Sequence, residues 1–259
     1  MAKSLQEWID TDVRKVKTKP LRWLSEQYFF RDPIRPMFSD SDYFFAPADG
    51  IILYQKQVKA DECLVDVKGR FYSLQDAMRD ASYRQESLVI GIFMTLYDVH
   101  INRIPYPGRL SYLSLPPIET HNLPMLEMEQ GLIDELVVDT QRAQYLHKNQ
   151  RMLNRVYADK LQDFYYILQI ADYDVSAITP FELRQGSPFA QNERFSQIRF
   201  GSQVDVIIPL SKRFEFIATQ AVGMHVEAGI DTLVRIAPKH AQMNHHNAEL
   251  TVALEPVST

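Results

Sequence analysis

The sequence predicts a mainly β (α+β) chain behind an N-terminal helical arm. Two observations carry this. Apolar stretches of strand length recur after residue 43, bounded by Gly, Pro, Asp and Asn. Apolar residues spaced three or four apart are sustained over residues 3–31. Residues 1–42 therefore read as arm and linker, and residues 43–259 as the main domain.

In the arm, Leu5, Trp8, Ile9, Val13 and Val16 share one helical face, and Leu21, Trp23, Leu24, Tyr28 and Phe29 follow Pro20. Lys15, Lys17, Lys19 and Arg22 make its middle basic. Such a segment is either a surface helix with solvated lysines or a peripheral membrane contact. Residues 31–42 are a Pro- and Asp-rich connector.

Residues 43–54 hold a turn, Ala46-Pro47-Ala48-Asp49-Gly50, followed by an apolar strand. Residues 63–72 read as strand with a bend at Gly69, and 73–82 as a short helix capped by Ser73. Strands are predicted over 88–96, 109–115, 164–171, 175–179, 204–210, 214–221 and 233–237. Residues 126–138 fit a helix or a loop, and 141–160 are polar without a clear period.

Composition narrows the function. The chain has 259 residues, 46% hydrophobic and 24% charged, an ordinary globular balance. A net charge of −5 gives no basic footprint for nucleic acid. Cys63 is the single cysteine, so no internal disulfide forms, and a cytoplasmic setting is the simplest expectation. No apolar run reaches the roughly 18 residues of a spanning helix, and no secretory-signal pattern opens the sequence. No metal site is expected, since His245-His246 lack partners at ligand spacing.

Three segments carry candidate chemistry: Asp49 in its turn, His100 after a buried strand, and Gly201-Ser202 ahead of another. An Asp, a His and a Ser are the parts of an activated hydroxyl. Singly, each has a structural explanation: Asp-Gly pairs shape turns, and a lone His or Ser is usually a satisfied structural residue.

Taken in order, the segments resemble the pyruvoyl-dependent phosphatidylserine decarboxylases. The similarity runs through Phe30-Arg31-Asp32-Pro33 with Arg35, then Ala46-Pro47-Ala48-Asp49-Gly50, then Val67-Lys68-Gly69 with Tyr72-Ser73-Leu74. It continues through Asp98-Val99-His100-Ile101-Asn102-Arg103 with Pro105, as in short bacterial and archaeal forms, to Gly186, Phe195 and Phe200-Gly201-Ser202.

The resemblance implies a compact sandwich- or barrel-like decarboxylase domain that cuts itself. Ser202 Oγ would attack the Gly201 carbonyl, and β-elimination would release a β chain of residues 1–201 from an α chain of residues 202–259. Residue 202 becomes a covalent pyruvoyl cofactor. It forms a Schiff base with the substrate amine, so that phosphatidylserine loses carbon dioxide and becomes phosphatidylethanolamine. Asp49 would help activate Ser202, and His100 would serve decarboxylation as proton donor or carboxylate orienter. A protein without a spanning helix would meet its lipid by peripheral membrane contact, with residues 3–31 and 125–136 as candidates. A homodimer is an option the sequence leaves open.

Three departures sharpen the reading. Longer forms carry a second histidine where this chain has Arg103, and arginine cannot act as a general base. Either His100 then serves both steps or Asp49 acts on Ser202 more directly, which leaves Arg103 to hold a substrate carboxylate or phosphate. Gln203 replaces the threonine that follows the family's cleavage serine. Residues 116–160 are longer than in short forms. A soluble amino acid or phosphoserine-type substrate, and a non-cleaving binding module, are the alternatives.

Overall fold

The computed structural model describes residues 1–119, 121–173, 177–199 and 201–239. Phe200, Val175 with Ser176 of the expected 175–179 strand, and His245-His246 lie outside the described residues.

A nine-stranded antiparallel sheet forms the spine. Its order is Lys3–Ser4, Met224–Val226, Gly50–Val58, Ser87–Met94, Ser202–Pro209, Asp163–Ala171, Arg151–Ala158, Gly108–Leu115 and Ser187–Phe189. Both edges are open, so no closed barrel forms. Ser202–Pro209 sits at the centre, and all of its residues are buried. Its apolar residues Val204, Val206, Ile207 and Ile208 serve both faces, as expected of a strand covered on each side, while Ser202, Gln203 and Asp205 are buried polar residues.

The sheet divides two cores. Alternate residues Ile90, Ile92, Met94, Val204, Val206 and Ile208 enter the first. Two three-stranded sheets cover that face: Ile178–Pro180, Arg194–Ile198 and Ile101–Arg103 in one, and Phe214–Ala218, Thr232–Pro238 and Tyr43–Phe45 in the other. Val89, Phe93, Leu168, Ile170 and Ile207 enter the second core, beneath helical segments that include Leu74–Met78, Leu126–Asp134 and Tyr145–Lys148. Each fully buried aliphatic side chain here contributes roughly 1.5–3 kcal/mol. The fold is thus a layered, mainly β structure with a helical face, in line with the expected class.

The arm departs from a continuous helix. Lys3–Ser4 pairs with Met224–Val226 as a short strand, and Ser4 then caps the helix that begins at Leu5 by accepting from Glu7 N–H at 3.2 Å. Helical backbone, with a wider π-type turn over Ile9–Val13, continues to Val16 and resumes over Leu21–Tyr28. Leu5, Trp8, Ile9 and Val13, which share one helical face in the sequence, lie in the second core.

The polar 141–160 segment hides a strand. In Arg151–Ala158, Met152, Asn154, Val156 and Ala158 are buried. Asn154 donates to Gln169 Oε1 at 2.8 Å and to the Ile167 carbonyl at 3.0 Å. Arg151 donates to the carbonyls of Leu146 and Ala77. Buried polar side chains, Asn154 bonded across the sheet and Arg151 to the helical segments, masked the period. Residues 126–138, open between helix and loop, form the helix Leu126–Asp134. The predicted Ser73 cap is present as a reciprocal capping box with Asp76.

Candidate active site

Ser202 opens the central strand, opposite Met94 on one side and Ala171 on the other. The chain leaving Met94 makes a tight turn. Asp98 Oδ2 accepts from both the N–H and the Oγ1 of Thr95, each at 2.8 Å. That turn delivers His100, fully buried, to Ser202.

The imidazole is oriented at both nitrogens. Nε2 lies 2.8 Å from the Thr95 carbonyl oxygen. A carbonyl only accepts, so Nε2 carries the proton and Nδ1 presents its lone pair. Nδ1 is 3.4 Å from Ser202 Oγ. Burial pushes the His100 pKa down to about 4, outweighing the Thr95 hydrogen bond and the nearby Asp98 charge. The ring is therefore a neutral base at neutral pH. Phe29 stacks on it at 3.9 Å, sealing that side with the end of the arm. The other neighbour of Ser202 Oγ is the Met94 thioether at 3.3 Å, a weak acceptor.

Gly201 is tightly enclosed. A Cβ at that position would stand 2.8 Å from Asp172 Oδ2. Gly50 is more constrained still: its φ is +152°, and a Cβ would meet the Phe93 carbonyl oxygen. The Pro-Ala-Asp-Gly turn is thus a backbone requirement that aims Asp49.

Asp49 is brought to a different partner than expected. Its carboxylate receives both Nη atoms of Arg35, each at 2.6 Å, and the Ala228 N–H at 2.8 Å. Neither Ser202 nor His100 is among its hydrogen-bond partners in the described residues. Asp49 ties the Phe-Arg-Asp-Pro-x-Arg segment to the turn after Met224–Val226.

Arg103 is likewise engaged away from Ser202. It donates to the Asn192 carbonyl at 3.0 Å, and Asp32 lies 4.0 Å away. Burial, then Arg194 and Arg35, lower its pKa.

Gln203 points to the opposite face of the sheet. Its Oε1 accepts from Tyr145 OH at 2.7 Å, and its Nε2 donates to Tyr54 OH and to Asp205 Oδ1, both at 2.6 Å. Tyr54 OH donates to Asp205 Oδ2 at 2.8 Å. The substitution at 203 belongs to a buried structural network.

Sequence reasoning missed three features of the site. Asp98 Oδ1 meets His225 Nε2 at 2.7 Å, and Trp8 stacks on that ring. Asp98 has a lowered pKa, because His225 and the Thr95 donors outweigh a burial effect that alone would raise it. Arg31 grips the Tyr97 and Asp98 carbonyls. These residues, with Arg35 and Asp49, line a polar cavity of about 180 Å³ beside the 95–100 turn. The third feature is the pair Glu129 and Asp172 beside Gly201. Asp98 and Arg31 stand inside the Asp-Val-His and Phe-Arg-Asp-Pro motifs; His225, Glu129 and Asp172 carry no local signal.

The family model for phosphatidylserine decarboxylase matches residues 26–233. The chain belongs to the phosphatidylserine decarboxylase family. Among its relatives are phosphatidylserine decarboxylase proenzymes of Erythrobacter litoralis and Chlorobium limicola. The first is 31% identical over 80% of this chain and 72% of that one, the second 29% over 80% and 77%. A putative archaetidylserine decarboxylase proenzyme of Methanocaldococcus jannaschii is 26% identical over 78% of this chain and 85% of its own. Membership makes this chain a carboxy-lyase. The family match encloses Arg35, Asp49, His100, Gly201, Ser202 and His225. No helix among the described residues is long and apolar enough to cross a membrane.

Proposed function

We propose that this carboxy-lyase cuts its own chain between Gly201 and Ser202 and then decarboxylates the serine head group of a phospholipid. The observation that carries this reading is the His100 lone pair facing Ser202 Oγ while Nε2 is tied to the Thr95 carbonyl. With Arg103 engaged elsewhere, His100 is the base for cleavage, and the same imidazole remains beside residue 202 for turnover. A separation of 3.4 Å is loose for a hydrogen bond, as expected of a catalytic pair before reaction.

The surroundings fit a pyruvoyl group. Ser202 is buried between a thioether and one neutral imidazole, and among the described residues no cation or second nucleophile bonds to its Oγ. That group, once formed, supplies the electron sink for loss of carbon dioxide. His100 holds a proton at Nδ1 or Nε2 where a carbon is reprotonated. Phe29 excludes water from its face. Asp49 acts through Arg35, fixing the linker that carries Phe29 and Arg31 over the site.

The apolar faces of residues 3–31 and 125–136 are largely spent in the second core. A peripheral lipid contact is better served by Leu21 and Phe30, which remain exposed in the arm, and by Ile34, Met37 and Phe38, which are exposed along the linker that leads to the site.

Intact-mass analysis tests the reading. The expected result is two fragments meeting at 201/202, the second beginning with a pyruvoyl mass, and a single uncut chain in Ser202→Ala. An uncut wild-type chain, or an N-terminal serine at residue 202, overturns it. Carbon dioxide release from phosphatidylserine vesicles but not from free serine or phosphoserine is expected; the reverse overturns the lipid assignment.

A further inference from the structure

The two residues of the Gly201–Ser202 bond have different neighbours: His100 lies at Ser202 Oγ, and two carboxyl groups lie against Gly201. Asp172 follows Ala171, the residue that pairs with Ser202 in the sheet. Its Oδ1 is fixed by the Met125 N–H at 2.8 Å and the Tyr173 N–H at 2.7 Å. Its Oδ2 accepts no hydrogen bond among the described residues and lies against Gly201, 2.8 Å from where a Cβ would stand. Glu129, on the helix Leu126–Asp134, is fixed through Oε1 by the Leu96 N–H at 3.3 Å, and its Oε2 is 4.0 Å from the same point. Neither carboxyl is paired with Lys or Arg among the described residues. The groups facing the pair are acidic or neutral: Asp98 and Tyr97 from the 95–100 turn, Asp134 from Glu129's own helix, and Tyr145 from the neighbouring helix.

Resting on the self-cleavage reading above, we propose that Asp172, backed by Glu129, is the acid of chain cleavage. Ser202 Oγ bonds to the Gly201 carbonyl carbon as its proton passes to His100 Nδ1. The carbon–nitrogen bond breaks, its electron pair stays on the Ser202 nitrogen, and that nitrogen takes the proton of Asp172. An ester and a free amine result, with an imidazolium and a carboxylate that re-equilibrate their proton through solvent. An amide nitrogen is a poor leaving group until it is protonated, and a separate acid supplies that proton without the His100 imidazolium having to return it.

Protonation states agree with the geometry. Burial raises Asp172 to about 6, against the two N–H groups that lower it. Burial raises Glu129 to about 7, the Leu96 N–H opposing and the Asp98, Asp172 and Asp134 charges adding. His100, held at about 4, is neutral over the range in which these carboxyls keep their protons. A protonated acid and a neutral base therefore coexist near pH 5–6, and the acid is lost as pH rises past about 6–7.

The test follows cleavage of freshly made chain by cell-free synthesis and a labelled chase at pH 5 to 9, read on denaturing gels. The wild type should cleave fastest near pH 5–6 and slow above it. Asp172→Asn should cleave roughly 10²–10⁴-fold more slowly, lose the alkaline limb, and gain nothing from hydroxylamine, which cleaves esters and not amides. Asp172→Glu should restore cleavage together with the limb. Glu129→Gln should shift the limb to lower pH, and this variant decides the matter if Asp172→Asn fails to fold. Asp172→Asn cleaving within threefold of wild type, a slow variant rescued by hydroxylamine, or an unmoved limb in Glu129→Gln overturns the proposal and leaves the cleavage reading intact. A wild-type chain that never cleaves overturns both.

Discussion

Ser202 and Gln203 are adjacent on one strand, equally buried, and opposite in kind. Gln203 uses its carbonyl and both amide hydrogens on Tyr145, Tyr54 and Asp205 at 2.6–2.7 Å. Ser202 has a thioether and one imidazole nitrogen at 3.3–3.4 Å. Burial makes polar groups costly unless they are paired. The closed network on the Gln203 face has therefore converged on stability, whereas the loose pair on the Ser202 face keeps a hydroxyl available for chemistry. Polarity in a core does not distinguish structure from reactivity; the completeness of its hydrogen bonding does.

That contrast is tested most severely at its two centres. Ser202→Ala should abolish cleavage on denaturing gels while changing stability by no more than about 1 kcal/mol, since its hydrogen bonds are weak. A large loss of stability would place Ser202 with the structural face. His100→Gln should slow cleavage by roughly 10²–10⁴-fold, the usual worth of a positioned base; a rate close to wild type would end its role. Gln203→Ala should do the reverse. It leaves Tyr145, Tyr54 and Asp205 short of partners and should cost about 2–4 kcal/mol in denaturant unfolding, with the cleavage rate of the folded fraction unchanged.

The smallest effect is a pH slope. Burial raises Asp205 to about 6, against the donors Gln203 and Tyr54. A carboxyl raised above its ordinary value gives stability that is full below about pH 4 and is lost as pH rises through about 6. Asp205→Asn should therefore show a smaller fall in melting temperature between pH 4.5 and 7 than the wild type does. An identical fall would show that this carboxyl does not titrate in the window.

Linear motifs made half of the site legible. Gly50, His100, Gly201 and Ser202 stand in short contiguous segments, and a motif of adjacent residues leaves a trace in sequence even where, as at Gly50 and Gly201, the group that demands the glycine comes from elsewhere in the chain. The central strands were legible for the same reason, being long apolar runs. The strand Arg151–Ala158 was not, because its buried polar residues find their donors' partners only in the fold: Asn154 across the sheet at Gln169 and Ile167, Arg151 at carbonyls of Leu146 and Ala77 in the helical face. Asp49 was found but its partner was not: Arg35 stood in a quoted motif with nothing in the spacing to say it would close on that carboxylate. His225, Glu129 and Asp172 come from elements distant in sequence, and each acquires meaning only through what the fold packs against it.

The position of the proposed cut would have a mechanical consequence. A chain opened ahead of Ser202 places its new end at the head of a strand hydrogen-bonded along its length to Ser87–Met94 on one side and to Asp163–Ala171 on the other. Further along, Met224–Val226 threads between Lys3–Ser4 and Gly50–Val58, and Thr232–Pro238 lies between Phe214–Ala218 and Tyr43–Phe45. The shorter piece is woven through the longer one at three places and cannot diffuse away without the sheet itself unravelling. A nicked molecule should thus travel as one body through gel filtration and separate only in denaturant, which makes the scission permanent chemically and nearly silent mechanically.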